Sequence, residues 1–308
     1  MRGFSVIIVV LLTVSGAFAQ KAVDYNDLVK ECQTAAQNRK FSEAISLCSD
    51  AIDQNKNGTN AYYIRAYAYS KLRDKELART PTSSEIKIPR AQSIIFAIAD
   101  AEKCIQLSPK EYPGYSLIGS LLYNEQSNEY RIKAVNNLGE AIRLGDKNNE
   151  LYEFRAIANM NIALSMPPSA PEAKQRAEHA IVDYETYIKL SDETLAYRSQ
   201  GELYEFLGKY DLAINAYTKV LAEYENSYEL RRLRGKAYFK VKKYQLAIDD
   251  LTTALGSTDD DADSDDLRKE ILPLRMQAYK ALKMKNEFCE DLKKLDANAK
   301  CDEEWKNK

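Results

Sequence analysis

Histidine is where acid–base and metal chemistry usually begins, because its ring titrates near neutral pH and ligates metals. This sequence has one, His179. A Ser-His-Asp or Cys-His arrangement could be built only around it, and its setting on a helical stretch reads as solvent-facing surface. No glycine-rich phosphate loop and no Cys-x-x-Cys pair is present. Carboxylate pairs such as Asp249-Asp250 fall on helical stretches, where a solvated face is the default. The densest acidic run, Asp259 to Asp266, sets Asp261, Asp263 and Asp265 at the spacing that opens an EF-hand calcium loop. Its sixth position is Asp266 where glycine is needed, however, and its twelfth is Leu272 where a bidentate glutamate is needed. A solvated linker whose last carboxylates cap the next helix is the simpler reading. The expectation is therefore a chain with no catalytic residue, no metal and no cofactor, that is, not an enzyme.

The cysteines suggest stapling more than reactivity. Cys32 and Cys48 lie equally far from Lys40, so across a helical turn they would sit at similar heights and could pair; two separate core thiols are the alternative. Cys289 and Cys301 could pair and pin the end of the chain, or stay independent, and Cys104 is then the odd thiol. Met1 to Ala19 reads as a secretory signal peptide, with Arg2, an apolar core from Val6 to Val14 and the small-x-small site Ala17-Phe18-Ala19. That apolar run is too short to span a bilayer. The expected location is exported, periplasmic or secreted, where disulfides form. Asn57-Gly58-Thr59 is a glycosylation sequon in a eukaryotic host and otherwise a plain turn. Without Arg2 the chain carries 43 basic and 46 acidic residues, too balanced for a nucleic-acid binder.

The elements that must position any site are written as a repeat. Gly201, Tyr204, Tyr210, Ala213, Tyr217 and Val220 are answered by Gly235, Tyr238, Tyr244, Ala247, Leu251 and Ala254, each 34 residues on. Spacings of three and four within each half place these side chains on one helix face. The short links Gly208-Lys209-Tyr210 and Val241-Lys242-Lys243-Tyr244 suit a turn between antiparallel helices. A fixed period of this length marks stacked helical hairpins, each unable to bury its apolar face alone.

This pattern resembles the tetratricopeptide repeat, although Arg231 stands where Tyr197 supplies the first bulky residue and neither copy ends in proline. Weaker copies precede it. One uses Leu28, Cys32, Ala35, Phe41, Ala44, Cys48 and Ala51. The next uses Tyr62, Arg65, Ala66, Tyr69, Ala97, Asp100, Ala101 and Cys104. A third uses Tyr115, Ile118, Gly119, Leu122, Ala134, Leu138 and Ala141, and a fourth Tyr152, Arg155, Ala156, Ala180, Tyr184 and Tyr187. A final hairpin carries Leu267, Ile271, Leu274 and Ala278, then Phe288, Leu292 and Leu295. The resemblance implies an all-α fold, a right-handed superhelical solenoid of about seven antiparallel helix pairs over residues 20–296. Insertions are expected at about 73–90 and 160–176, an acidic linker at 257–266, and a capping tail at 297–308.

In that family the first helix of each hairpin lines a concave groove. Here the stripe would carry Tyr63, Tyr67 and Ser70; Ser116, Ser120 and Tyr123; Glu153, Ile157 and Met160; Arg198, Glu202 and Glu205; and Arg232, Lys236 and Phe239. Its first half is aromatic and neutral, and its second half brings Arg198, Arg232 and Lys236 together. The resemblance thus implies a non-enzymatic interaction scaffold taking a peptide segment or protein surface in the groove, and charge reversal at Arg232 and Lys236 is expected to weaken capture. A small-molecule or glycan binder using the tyrosines is the alternative. Cytosolic chaperone adaptors of the family hold a C-terminal carboxylate with a Lys, Asn, Asn, Lys, Arg set. Val29, Gln33, Tyr63 and Tyr67 occupy the corresponding positions here, so an Hsp70 or Hsp90 partner is not expected, and neither is nucleic acid nor a membrane span.

Overall fold

The computed structural model describes residues 24–72, 90–256, 263–296 and 298–306. The signal-peptide segment, most of the first insertion and the start of the acidic run lie outside them. The described chain forms α1 (Tyr25–Gln37), α2 (Phe41–Gln54), α3 (Thr59–Lys71), α4 (Arg90–Leu107), α5 (Pro113–Leu122), α6 (Asn128–Arg143), α7 (Glu150–Leu164) and α8 (Pro171–Ser191). It continues through α9 (Ala196–Phe206), α10 (Tyr210–Leu221), α11 (Tyr228–Lys240), α12 (Tyr244–Gly256), α13 (Asp263–Ala281), α14 (Lys285–Leu295) and the short α15 (Cys301–Lys306). Consecutive helices pack against each other along the whole series, giving seven hairpins in an all-α solenoid. First helices also touch the next first helix, α1 with α3, α3 with α5, α5 with α7 and α11 with α13. They therefore line the inside of the curve. The second insertion is built mostly as helix: α7 runs to Leu164 and α8 starts at Pro171, whose fixed φ and missing N–H suit a first helical turn.

Four hairpins turn by the same device. After α1, α9, α11 and α13 one residue adopts a left-handed conformation, namely Arg39, Gly208, Lys242 and Lys283. The amide after it bonds back to a carbonyl five residues earlier, as from Lys209 to Tyr204 and from Lys243 to Tyr238. This closes the helix end in a Schellman motif. Only Gly208 adopts that conformation without steric cost.

Inside each hairpin a small residue on the first helix receives a large one from the second. A methyl group added at Gly201 would overlap the ring of Tyr217, and one at Gly235 would come within 2.9 Å of Leu251 Cγ. Tyr217 and Leu251 are fully buried as a result. In the first hairpin the corresponding residues are Cys32 and Cys48, and there the contact is a disulfide with a Cα–Cα separation of 5.4 Å, within the range such a bond spans. Cys289 and Cys301 are joined likewise, again at 5.4 Å. Trp305 of α15 packs edge-on against Phe288. Cys104 is a buried free thiol, and burial pushes it up to about 12.

A second recurring element binds the hairpins internally. Arg65 on α3 grips Asp100 on α4 through two bonds of 2.7 and 2.8 Å. Arg155 grips Asp183, Arg234 grips Asp250, and Arg275 grips Asp291 in the same fork. Each aspartate is buried, so the bidentate geometry compensates the cost of removing its charge from water. The remaining guanidinium nitrogen reaches back to the previous hairpin: Arg65 to Ser49, Arg234 to Thr218 and Arg275 to Thr252. Gly139 stands at the place where Arg155 would find that hydroxyl, and its Cα hydrogen faces Arg155 Nη1. Among the described residues the first, third and fifth hairpins lack the fork, the third having Ile118 and Asn137 at its places; the fifth fills them in another way. Gln200 and Ala216 replace the pair, Gln200 donates instead to the Ile181 carbonyl at 3.3 Å, and an open cleft lined by Tyr197, Gln200, Ala216 and Lys219 lies beside them.

Candidate interaction groove

The stripe read from the sequence forms two sites of opposite character. In the first, α3, α5 and α7 bring Tyr63, Tyr67, Ser116, Ser120 and Tyr123 into one open trough of about 760 Å³. Tyr63 and Tyr67 are each 37% exposed, more than core packing alone would leave them. Tyr123 stacks on Phe154 with ring centroids 4.4 Å apart. Tyr112, at the start of α5, adds another exposed ring. Asp146 lies among these rings, accepting a hydrogen bond from Ser116 Oγ and one of 3.0 Å from the Asn148 amide. Glu125 and Glu150 complete an acidic rim. Lys71 is the lining cation among the described residues, and its ammonium sits 5.5 Å from the Tyr67 ring centre. Burial raises the Tyr63 hydroxyl above its ordinary range, with Tyr67 and Asp146 adding to the shift. Burial likewise raises Tyr123, helped by Glu153 and Glu150. The field in this trough is thus negative.

Along α9, α11 and α13 the charges close on themselves. Arg198 binds Glu202 at 3.1 Å on its own helix and Glu229 at 3.4 Å on the next first helix. Arg232 repeats the arrangement one hairpin on, binding Glu229 at 2.8 Å and Glu270 at 2.6 Å. Lys236 also meets Glu270, at 2.9 Å. Against the burial that would raise it, the Glu270 carboxyl is lowered by its bond to Lys236 and by the charge of Arg232. Glu202 and Glu205 are raised, burial outweighing the nearby cations. Glu205 Oε1 and the Tyr217 hydroxyl are buried here without a hydrogen-bond partner. Phe239 sits at the far end of α11, edge-on to Tyr244 in the terminal apolar cluster with Trp305.

The sequence stripe therefore located Tyr63, Tyr67 and Tyr123 in one place and Arg198, Glu202, Arg232 and Lys236 in another, with Phe239 set among core side chains. It missed Tyr112, Asp146, Phe154, Glu229 and Glu270. Tyr112 and Asp146 come from the ends of helices, where a helical stripe has no register. Glu229 and Glu270 occupy matching places, five residues before Arg234 and Arg275. The Arg–Asp pair was the available signal, since it recurs 41 residues on and exposes the extra length of the acidic linker. His179 is exposed on α8. Among the described residues no group of three or more His, Cys, Asp or Glu is placed to hold a metal ion, and no helix is long and apolar enough to cross a membrane.

Residues 198–263 match the tetratricopeptide repeat family. Over 161 residues the chain is 29% identical to the Hsp70-Hsp90 organizing protein 3 of Arabidopsis thaliana, a match spanning 52% of this chain and a quarter of that relative's length. Among solved structures, the C-terminal part of a tetratricopeptide repeat-containing protein from Cytophaga hutchinsonii aligns with a TM-score of 0.59 at 15% identity, covering 91% of this chain and all of that one. YrrB, described as a tetratricopeptide repeat protein with an unusual peptide-binding site, aligns at 0.54 with 17% identity, covering 72% of this chain and 97% of its own. The Naa15/Naa10 complex bound to HypK aligns at 0.55 with 13% identity, covering 89% of this chain and 36% of that one. The 34-residue period and the match over residues 198–263 mark that stretch as tetratricopeptide repeats, and the described chain shares its hairpin solenoid with these structures.

Proposed function

We propose that the protein is a non-enzymatic scaffold that holds a peptide segment or a protein surface in its concave groove, along the trough between α3 and α7. The observation that carries this reading is that Tyr63 and Tyr67, each more than a third exposed, line that trough together with Tyr112 and Tyr123. Rigid aromatic side chains are favoured binding anchors, since they cover a large area at small entropic cost. YrrB, with the same fold, is described as having a peptide-binding site, which supports a groove of this kind as a place for peptides. The lone, exposed His179 supports the absence of catalysis.

We further infer that the carboxylate-gripping mode of chaperone adaptors is not used. Val29, Gln33, Tyr63 and Tyr67 stand at the positions that would supply the clamp, and the groove's arginines are engaged by glutamates. The likeness to the Arabidopsis organizing protein is then one of repeats. Met1 to Ala19 supports export of the protein to a periplasm or out of the cell.

A site-specific photocrosslinker placed at Tyr67, and separately at His179 outside the groove, tests the main reading in cells. Protein adducts are expected at Tyr67 and not at His179. Equal labelling at both positions would move the binding surface elsewhere. The stacked Tyr123–Phe154 pair also suits a sugar ring, and adducts to glycans alone at Tyr67 would favour that second reading.

A further inference from the structure

The two halves of the groove differ in which charges remain available to a partner, and that difference names the chemistry of the ligand. Between α9 and α13 the cations Arg198, Arg232 and Lys236 are each held by one or two glutamates within 3.4 Å. An acidic partner would have to displace those glutamates before gaining anything. Between α3 and α7 the situation is inverted. Asp146 accepts only a hydroxyl and a backbone amide, and among the described residues neither it nor Glu125 nor Glu150 makes an ion pair. The lining cation Lys71 lies over an aromatic ring. Rings that attract cations on their faces and carboxylates without counter-charge thus share one trough. The Glu153 carboxyl on α7 is raised by burial and further by Glu150 and Glu193, which agrees with an excess of negative charge there.

We propose that the α3–α7 trough is a site for a cationic extended peptide, whose Lys or Arg side chains lie over Tyr63 and Tyr67 and pair with Asp146 and Glu150. The site rests on the groove reading above and adds to it the charge of the partner. It is opposite in sign to a carboxylate-gripping groove. Apolar residues between the basic ones would fill the space over the Tyr123–Phe154 stack, because side chains alternate along an extended strand.

A displayed library of random dodecapeptides, selected on the full chain, on Tyr63→Ala/Tyr67→Ala and on Asp146→Asn/Glu150→Gln, tests this. These side chains are not fully buried, and Asn at 146 retains the carbonyl that accepts from Ser116, so the variants are expected to fold; unchanged circular dichroism confirms it. Selection on the unmodified chain is expected to enrich Lys and Arg together with apolar residues. The best peptide should bind Asp146→Asn/Glu150→Gln about tenfold more weakly, two ion pairs at a partly exposed site being worth roughly that factor. Its affinity should fall as salt rises. Enrichment that depends on Tyr63 and Tyr67 but favours Asp and Glu, or shows no charge bias, overturns the cationic ligand and leaves the groove standing. Enrichment unaffected by the tyrosine substitutions, or none above the unselected library, overturns the groove itself.

Discussion

Between α3 and α7 the concave face presents rings and carboxylates that make no ion pair among the described residues; between α9 and α13 the corresponding face presents an equally polar surface whose charges answer one another. Counting Arg and Lys along a helix stripe would assign the second region as the basic, ligand-attracting half. Once internal pairing is subtracted, the first region is the charged one, and its sign is negative. A stripe of like residues is therefore a statement about a partner only when the neighbouring repeat does not supply the opposite charge. In this chain Glu229 and Glu270, each on the following first helix, do supply it.

The comparison is tested most severely at the extreme of the internally engaged class. Arg275 is 5% exposed and its partner Asp291 is 1% exposed. Arg275→Ala leaves the buried Asp291 carboxylate with only the exposed Lys294 ammonium, 3.3 Å away, as its partner, which should cost about 3 kcal/mol in urea unfolding. Replacing both residues by apolar ones of similar size, Arg275→Met with Asp291→Leu, should recover most of that. If the single replacement cost no more than a surface substitution, the forks would not be structural. The next effect belongs to binding. Tyr63→Ala/Tyr67→Ala should weaken capture by about 2 kcal/mol, some thirtyfold, with the melting midpoint unmoved, as titration with a selected peptide and a thermal scan would show. The smallest effect sharpens the contrast. Arg232→Met should lower stability by about 1 kcal/mol, because Glu229 and Glu270 lose a mostly buried partner and keep only Arg198 and Lys236, and peptide affinity should stay the same. Weakened capture in that variant would restore the second half of the groove as the binding half, as the sequence stripe alone suggested.

The architecture was legible because the repeat writes its packing in residue size. Gly201 under Tyr217 and Gly235 under Leu251 can be read as a small residue meeting a large one, and the period makes the pairing unambiguous. The turns were legible too, although Arg39, Lys242 and Lys283 adopt a backbone conformation that glycine would take more readily. The groove was only half legible. Tyr63, Tyr67 and Tyr123 follow from helical register. Which cations are free does not, because that depends on side chains one hairpin away brought close by superhelical curvature. Phe239 is the complementary case: its position belongs to the stripe, and near the end of the stack its half-buried ring also meets Tyr244 and the terminal apolar cluster. The fork of Arg and Asp, present in four of the seven hairpins, was visible in the sequence as residues but not as a bond.

The placement of the two disulfides has a mechanical consequence. In a linear array an outer unit has one neighbour where an inner unit has two, so melting ordinarily starts at the rim and runs inward. Here the opening unit is closed by Cys32–Cys48 and the closing one is pinned to its tail by Cys289–Cys301. With both rims tethered, heat should find its first purchase in the interior, at the units that have no fork to resist, the third and the fifth. Adding a reductant would hand that weakness back to the rims, turning a stack that comes apart from within into one that peels.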